Sequence, residues 1–288
     1  MRDIYLLKKL DDLNNWSWKL IHSTISHYLH KFKKDNTFTV DKYKEQFAEN
    51  IKNKINTLYY ESLWRDYSHW YKPEDKNKVW LVEHYYKEIQ NDQHETIIEN
   101  VINKIINCID NIKQTQIYEN IQRWISNKKL YIEPSKTNFD EMKFESANLP
   151  SIILYVQPDF RMKDENNKYI IIDRKTWNKN TEEDEIVDQL LAQAYRIYVQ
   201  EKPGDDAIIE GYLCYLDIPH ELLWGRISIN EIIEYEHKIK DDIETLKDLL
   251  INRDPERNEP IGIENFYKTN NINKCKNCAF RIICDRNA

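Results

Sequence analysis

The sequence predicts an α/β (α+β) fold: a central mixed β-sheet flanked by helices, with a helical part before it and a cysteine-bearing tail after it. Three observations predict this. Apolar residues recur at helical spacing through residues 1–127. Short runs rich in Ile, Tyr and Val begin near residue 129. Strand-like and helix-like segments then alternate to about residue 252, the order expected of a sheet with covering helices. The expected division is a helical part at 1–127, a sheet-bearing core at 128–253 and a cysteine segment at 254–288, all packed as one compact unit.

The elements follow in order. Leu20, Ile21, Ile25, Tyr28, Leu29 and Phe32 place a helix between Trp16 and Phe32. Ile98, Val101, Ile102, Ile105, Ile106 and Ile109 place a second, strongly amphipathic one between Glu95 and Gln114. KLYIEP, SIILYVQPDF and KYIIIDRKTW then read as strands, and the polar segment Met162 to Lys168 between the last two is a hairpin signal. Residues 183–200 return to helix, AIIEGYLCYLDI at 207–218 is a strand, and 229–252 is a charged helix.

Composition excludes several functions. Four glycines, with no GxGxxG and no GK[ST], leave no phosphate-cradling loop and argue against a nucleotide-driven motor. No stretch approaches the roughly 18 to 20 apolar residues that span a bilayer. MRDIYLLKKLDDL does not read as a signal peptide, so a cytoplasmic protein without membrane association is expected. Five cysteines, an odd number, argue against a disulfide framework in that setting. The net charge of −7 lacks the basic footprint usual in nucleic-acid binders, although an enzyme needs only a local basic groove.

The chemistry-bearing residues cluster at the hairpin. Pro158-Asp159-Phe160 ends one expected strand and Asp173-Arg174-Lys175 ends the next. The connection is short, so Asp159 and Asp173 can converge. Residues i and i+2 of a strand share a face, which projects Asp173 and Lys175 together and turns Arg174 away. Two convergent carboxylates are hard oxygen ligands suited to Mg2+ or Mn2+. Such an ion lowers the pKa of a bound water, and an adjacent lysine can orient that water or stabilise charge building on a phosphorane. The plainer reading of D-x-K at a strand end is a surface ion pair, worth at most about 1 kcal/mol.

VQPDF followed by IIIDRKTW resembles the signature of the PD-(D/E)XK nucleases, and the second segment is similar to the strand of their RecB-like branch. The resemblance implies a sheet of the restriction-endonuclease-like type, with Asp159, Asp173 and Lys175 as its catalytic centre. It also implies a helix bearing Gln-Leu, matched here by Gln189-Leu190, whose Gln helps position the lysine, the metal or the DNA. Where the branch often has Tyr four residues later, this chain has Gln193, with Tyr195 and Tyr198 nearby.

His22, in Trp16-Ser17-Trp18-Lys19-Leu20-Ile21-His22, lies on the helical face of Ile25 and Leu29 and should point inward. Alone it reads as a core histidine. The resemblance implies a metal ligand acting with Asp159, Asp173 and the backbone carbonyl of Arg174.

Cys275, Cys278 and Cys284 form C-x2-C-x5-C, and such clustering points to a metal, zinc or an iron–sulfur cluster. The spacing resembles the cysteine triplet of the iron–sulfur nucleases of this branch, including CRISPR-associated RecB-type exonucleases and the AddB nuclease domain. That implies a [4Fe–4S] cluster with a fourth thiolate from near the N-terminus. No cysteine precedes His22 here, which leaves a further N-terminal segment or Cys108 as its source; Cys214 reads as core.

The expected function is a Mg2+- or Mn2+-dependent DNA nuclease, an exonuclease on single strands or DNA ends. It would serve repair, recombination or CRISPR and phage defence, with a helicase or CRISPR adaptation protein as a possible partner. Lys31, Lys33, Lys34, Arg174, Trp177 and Arg196 are the candidate DNA contacts. Two alternatives stand: an inactive nuclease-fold module that binds DNA or protein around a structural zinc or iron–sulfur site, and a transposase-like or restriction enzyme with the same core.

Overall fold

The computed structural model describes residues 7–35, 37, 39–67, 78–124, 130–132, 141–146, 149–175, 183–204, 206–216, 222–265, 271, 275 and 278–281. The chain divides into two compact units. One comprises Met1–Thr24, Phe38–Cys108 and Phe266–Ala288; the other comprises Ile25–Thr37 and Ile109–Asn265. This differs from the expected cuts at 127/128 and 253/254. The cysteine tail groups with helices rather than standing alone, and the ends of two helices group with the sheet.

The first unit is helical. It holds the first part of α1 (Leu13–Lys34), α2 (Val40–Leu63), the single turn α3 (Val82–Tyr85) and most of α4 (His94–Lys113). Thr39 starts α2 by accepting the Lys42 N–H on its side chain, with Asp41 in the first turn to meet the positive end of the helix dipole. Leu7, Leu10, Trp80 and Val82 form a small core onto which Ala279 and Phe280 of the tail pack. Further anchors hold that tail. The Tyr86 hydroxyl donates to the Ala279 carbonyl at 2.9 Å. The Arg281 guanidinium lies 3.9 Å over the Tyr86 ring and pairs with Glu88.

The second unit is built on a mixed five-stranded sheet in the order β1 (Leu130–Ile132), β4 (Phe160–Lys163), β5 (Lys168–Lys175), β6 (Ile208–Tyr215) and β7 (Leu222–Ile227). β5 and β6 run parallel, and the other neighbours are antiparallel. The parallel pair needs a crossover, and α6 (Glu183–Glu201) supplies it. β2 (Glu141–Ser146) and β3 (Leu149–Tyr155) form a separate two-stranded sheet. The last helix, α7 (Ile229–Lys247), opens on a capping box between Ser228 and Glu231. α5 (Gln116–Trp124) brings Tyr118 against Tyr28 and Phe32 of α1, with ring centroids 6.3 and 6.4 Å apart. Asn111 of α4 donates to the Leu216 carbonyl at 2.6 Å. These contacts are why the ends of α1 and α4 belong to the sheet unit.

The main core of this unit gathers Tyr169 and Ile171 of β5, Leu190, Ala194 and Ile197 of α6, Leu213 of β6 and Ile232 of α7. The odd-numbered residues of β5 therefore share a face with α6 residues in one core. Gly211 of β6 lies close under α6: a Cβ there would lie 3.1 Å from both Leu190 Cδ1 and Ile227 Cδ1.

One expected strand is two. SIILYVQPDF reads as continuous, but β3 ends at Tyr155 and β4 begins at Phe160. Pro158 has no N–H to give a ladder, so pairing stops and the chain moves from one sheet to the other. Asp159 precedes β4 instead of ending a strand.

Candidate active site

The hairpin register sets the site. β4 and β5 pair Lys163 with Tyr169 and run up to Phe160 with Ile172. The register ends there, and Asp159 stands one residue before β4. The Asp159 carboxylate is turned onto the edge of β5. Its Oδ2 accepts the backbone N–H of Arg174 at 2.6 Å, and its Oδ1 lies 3.4 Å from Arg174 Nη2.

Asp173 and Lys175 follow Tyr169 and Ile171 at two-residue intervals, so all four lie on one face. Lys175 Nζ is 2.6 Å from Asp173 Oδ2 and donates to Oε1 of Gln189 on α6. Asp159, Asp173, Arg174 and Lys175 are 7%, 8%, 3% and 4% exposed, so this is not a surface ion pair. The lysine is anchored by its own strand and by α6.

Two other expectations are corrected. Arg174 is not a surface contact for DNA, because its side chain is buried against Asp159 on the other face of β5. Its carbonyl is a separate matter. Lys175 directs its carbonyl to β6, accepting from Leu216 N–H, so by alternation the Arg174 carbonyl is directed to the β4 side, where Asp159 lies. Arg196 is also buried: Nη1 donates to the Val156 carbonyl at 3.1 Å and Nε to Gln200 at 2.8 Å. It braces the chain between β3 and β4. Lys31, Lys33 and Lys34 form the basic last turn of α1 and belong to the same unit as the acids. Trp177 lies outside the described residues.

Gln193 is a buried residue whose importance the sequence left open. It sits one helical turn beyond Gln189, 4% exposed, and its Oε1 has no hydrogen-bond partner among the described residues. Such an orphaned buried acceptor costs about 1–3 kcal/mol. Tyr195 packs with Phe144 and Tyr235 in the core and does not stand in for it.

Among the described residues no group of three His, Cys, Asp or Glu side chains gathers to hold a metal. A closed tetrahedral zinc site at the hairpin does not fit that set. Asp159 and Asp173 are buried carboxylates near the same end of β5, the hard oxygen type of ligand that Mg2+ or Mn2+ takes. His22 belongs to the first unit, half-buried on α1 with its ring stacked 4.3 Å from Trp18.

The cysteines divide likewise. Cys275 is buried and Cys278 half-buried, with Cys278 N–H donating to the Cys275 carbonyl at 3.1 Å. Cys284 lies outside the described residues. Cys108 is buried on α4 in the same unit as the tail. Cys214 is core, paired in register with Arg174, and burial pushes its thiol up to about 12.

The first unit holds a pocket of about 550 Å3 that no motif announced. Its lining includes Tyr67, Glu83, His84 and His94. The Glu83 carboxyl is held above its usual range, first by burial, and burial also draws the His84 imidazole down to about 4. Compared with protein-family models and with curated proteins, the chain matches none.

Proposed function

We propose that the chain is a Mg2+- or Mn2+-dependent DNA nuclease of the PD-(D/E)XK superfamily, RecB-like branch, acting on single strands or DNA ends. One observation carries the reading: Asp173 and Lys175 share a buried face at the end of β5, beside Asp159, with Lys175 held by Gln189. The β4–β5 hairpin, the parallel β5–β6 pair and the α6 crossover also suit the restriction-endonuclease-like core that the sequence resemblance implies.

Asp159, Asp173 and the Arg174 carbonyl would hold the ion. When bound, the ion supplies an activated water and a Lewis acid for the phosphodiester. Lys175 is the group that meets charge developing on the phosphorane. Gln189 fixes its ammonium, so little reorganisation is needed as that charge appears. Asp173 is the counter-charge that compensates the buried ammonium.

The test is cleavage of end-labelled single-stranded and duplex DNA with Mn2+, comparing parent and Lys175→Ala. Loss of one electrostatic stabiliser should lower kcat about 10²- to 10³-fold. Equal cutting by both proteins would sink the proposal. Binding without cutting by either would favour an inactive nuclease-fold module.

A further inference from the structure

We infer that Arg174 is a built-in counter-cation for Asp159: it compensates the carboxylate when no divalent ion is bound, and it competes with the ion for it. The inference rests on the nuclease reading of the site and concerns how that site is regulated.

The arrangement has an even charge count. β5 contributes a cation on each face, Lys175 against Asp173 at 2.6 Å and Arg174 against Asp159 at 3.4 Å. All four residues are buried. Two acids with one lysine would leave a net negative charge that a divalent ion offsets. Arg174 adds a second cation, so these four side chains carry two formal charges of each sign. A buried carboxylate stripped of its partner is strongly disfavoured, so the guanidinium and the ion do the same job for Asp159.

Position and charge are separable here. The backbone N–H of Arg174 grips Asp159 Oδ2 whatever the side chain. Truncating the side chain removes the competing charge and leaves that grip in place. Arg174→Met and the neutral donor Arg174→Gln should therefore bind Mn2+ at least about tenfold tighter than the parent, since a nearby like charge is gone. In EDTA both should melt well below the parent, and Mn2+ should restore most of the loss. Arg174→Lys should track the parent in both measurements.

The experiment titrates the full chain with Mn2+, following free ion by electron paramagnetic resonance, alongside thermal melts in EDTA and in Mn2+. Arg174→Gln keeps a hydrogen bond to Asp159 within reach and covers the case in which the methionine variant does not fold. Unchanged or weaker Mn2+ affinity in the neutral variants, with equal melting losses in EDTA and Mn2+, overturns the counter-cation role alone. A parent chain that binds no Mn2+ overturns the metal-site reading itself.

Discussion

His84 should make the first unit lose stability as the pH falls from 6.5 to 4. Its surroundings fix the tautomer. The Tyr67 hydroxyl donates its proton to the Ser62 carbonyl at 2.9 Å, so at the 3.0 Å contact with Ser62 Oγ it accepts. Ser62 Oγ thus spends its own proton on Tyr67, accepts from Leu81 N–H, and must accept from His84 Nδ1–H as well. The Nε2 lone pair is left buried with no hydrogen-bond partner among the described residues. Protonating it would place a charge in a site 6% exposed, beside His94, which is why the group falls from 6.5 to about 4. A base depressed in the folded state binds fewer protons there than when unfolded. Its contribution is fully present above about pH 6.5, declines as pH falls to about 4, and is flat below that. A gap of about 2.5 units at 1.36 kcal/mol each gives about 3 kcal/mol. His84→Asn keeps an amide donor near the Nδ1 position and removes the titration. Glu83, whose carboxyl is raised, has the opposite sign and is present in both proteins. The assay is urea unfolding at half-unit steps from pH 7 to 4, taken as the difference between parent and variant. Parallel stability curves across that window would refute the tautomer argument.

Two further outcomes follow from the site and its packing. Gln189→Ala should lower kcat about tenfold with KM little changed, because the lysine loses one of its two anchors; a pure KM effect in the DNA-cleavage assay would place Gln189 on the substrate instead. Gly211→Val should cost about 1–3 kcal/mol in thermal unfolding by overpacking against Leu190 and Ile227, and should lower kcat through the neighbouring Gln189; a variant as stable as the parent would show that α6 moves away freely.

The parts legible in the sequence are those whose cause is local. Ile170 to Ile172 before Asp173 mark a strand buried on both faces, and simple alternation puts Asp173 and Lys175 on one face of it. The periodicity of α6 and α7 was likewise legible, but not the neighbours their polar residues find. Arg196 has the composition of a DNA contact, yet its partner is a carbonyl 40 positions earlier. Arg174 reads as an outward residue only if the second face of β5 is open, and that depends on distant chain segments. The break between β3 and β4 did have a local signal in Pro158, outweighed by the apolar run before it. β7 went unread, being six residues long with a glycine inside it. The unit boundaries fall inside α1 and α4, and an apolar stripe does not record which partner each turn of a helix packs against.

Burial argues against the surface-ion-pair reading of D-x-K. A surface ion pair would leave both side chains solvated, with little at stake if either were lost. Here four charged groups are withdrawn from water at one strand end. Desolvating them costs several kcal/mol each before any pairing, and well-packed apolar residues of similar volume would often hold a sheet as well or better. Stability alone therefore gives no reason for the cluster. The proposed nuclease site, which would hold a cation with two carboxylates and keep an ammonium fixed beside it, gives one. It also accounts for Gln189, whose hydrogen bond would otherwise tie a helix to a charge the fold does not need.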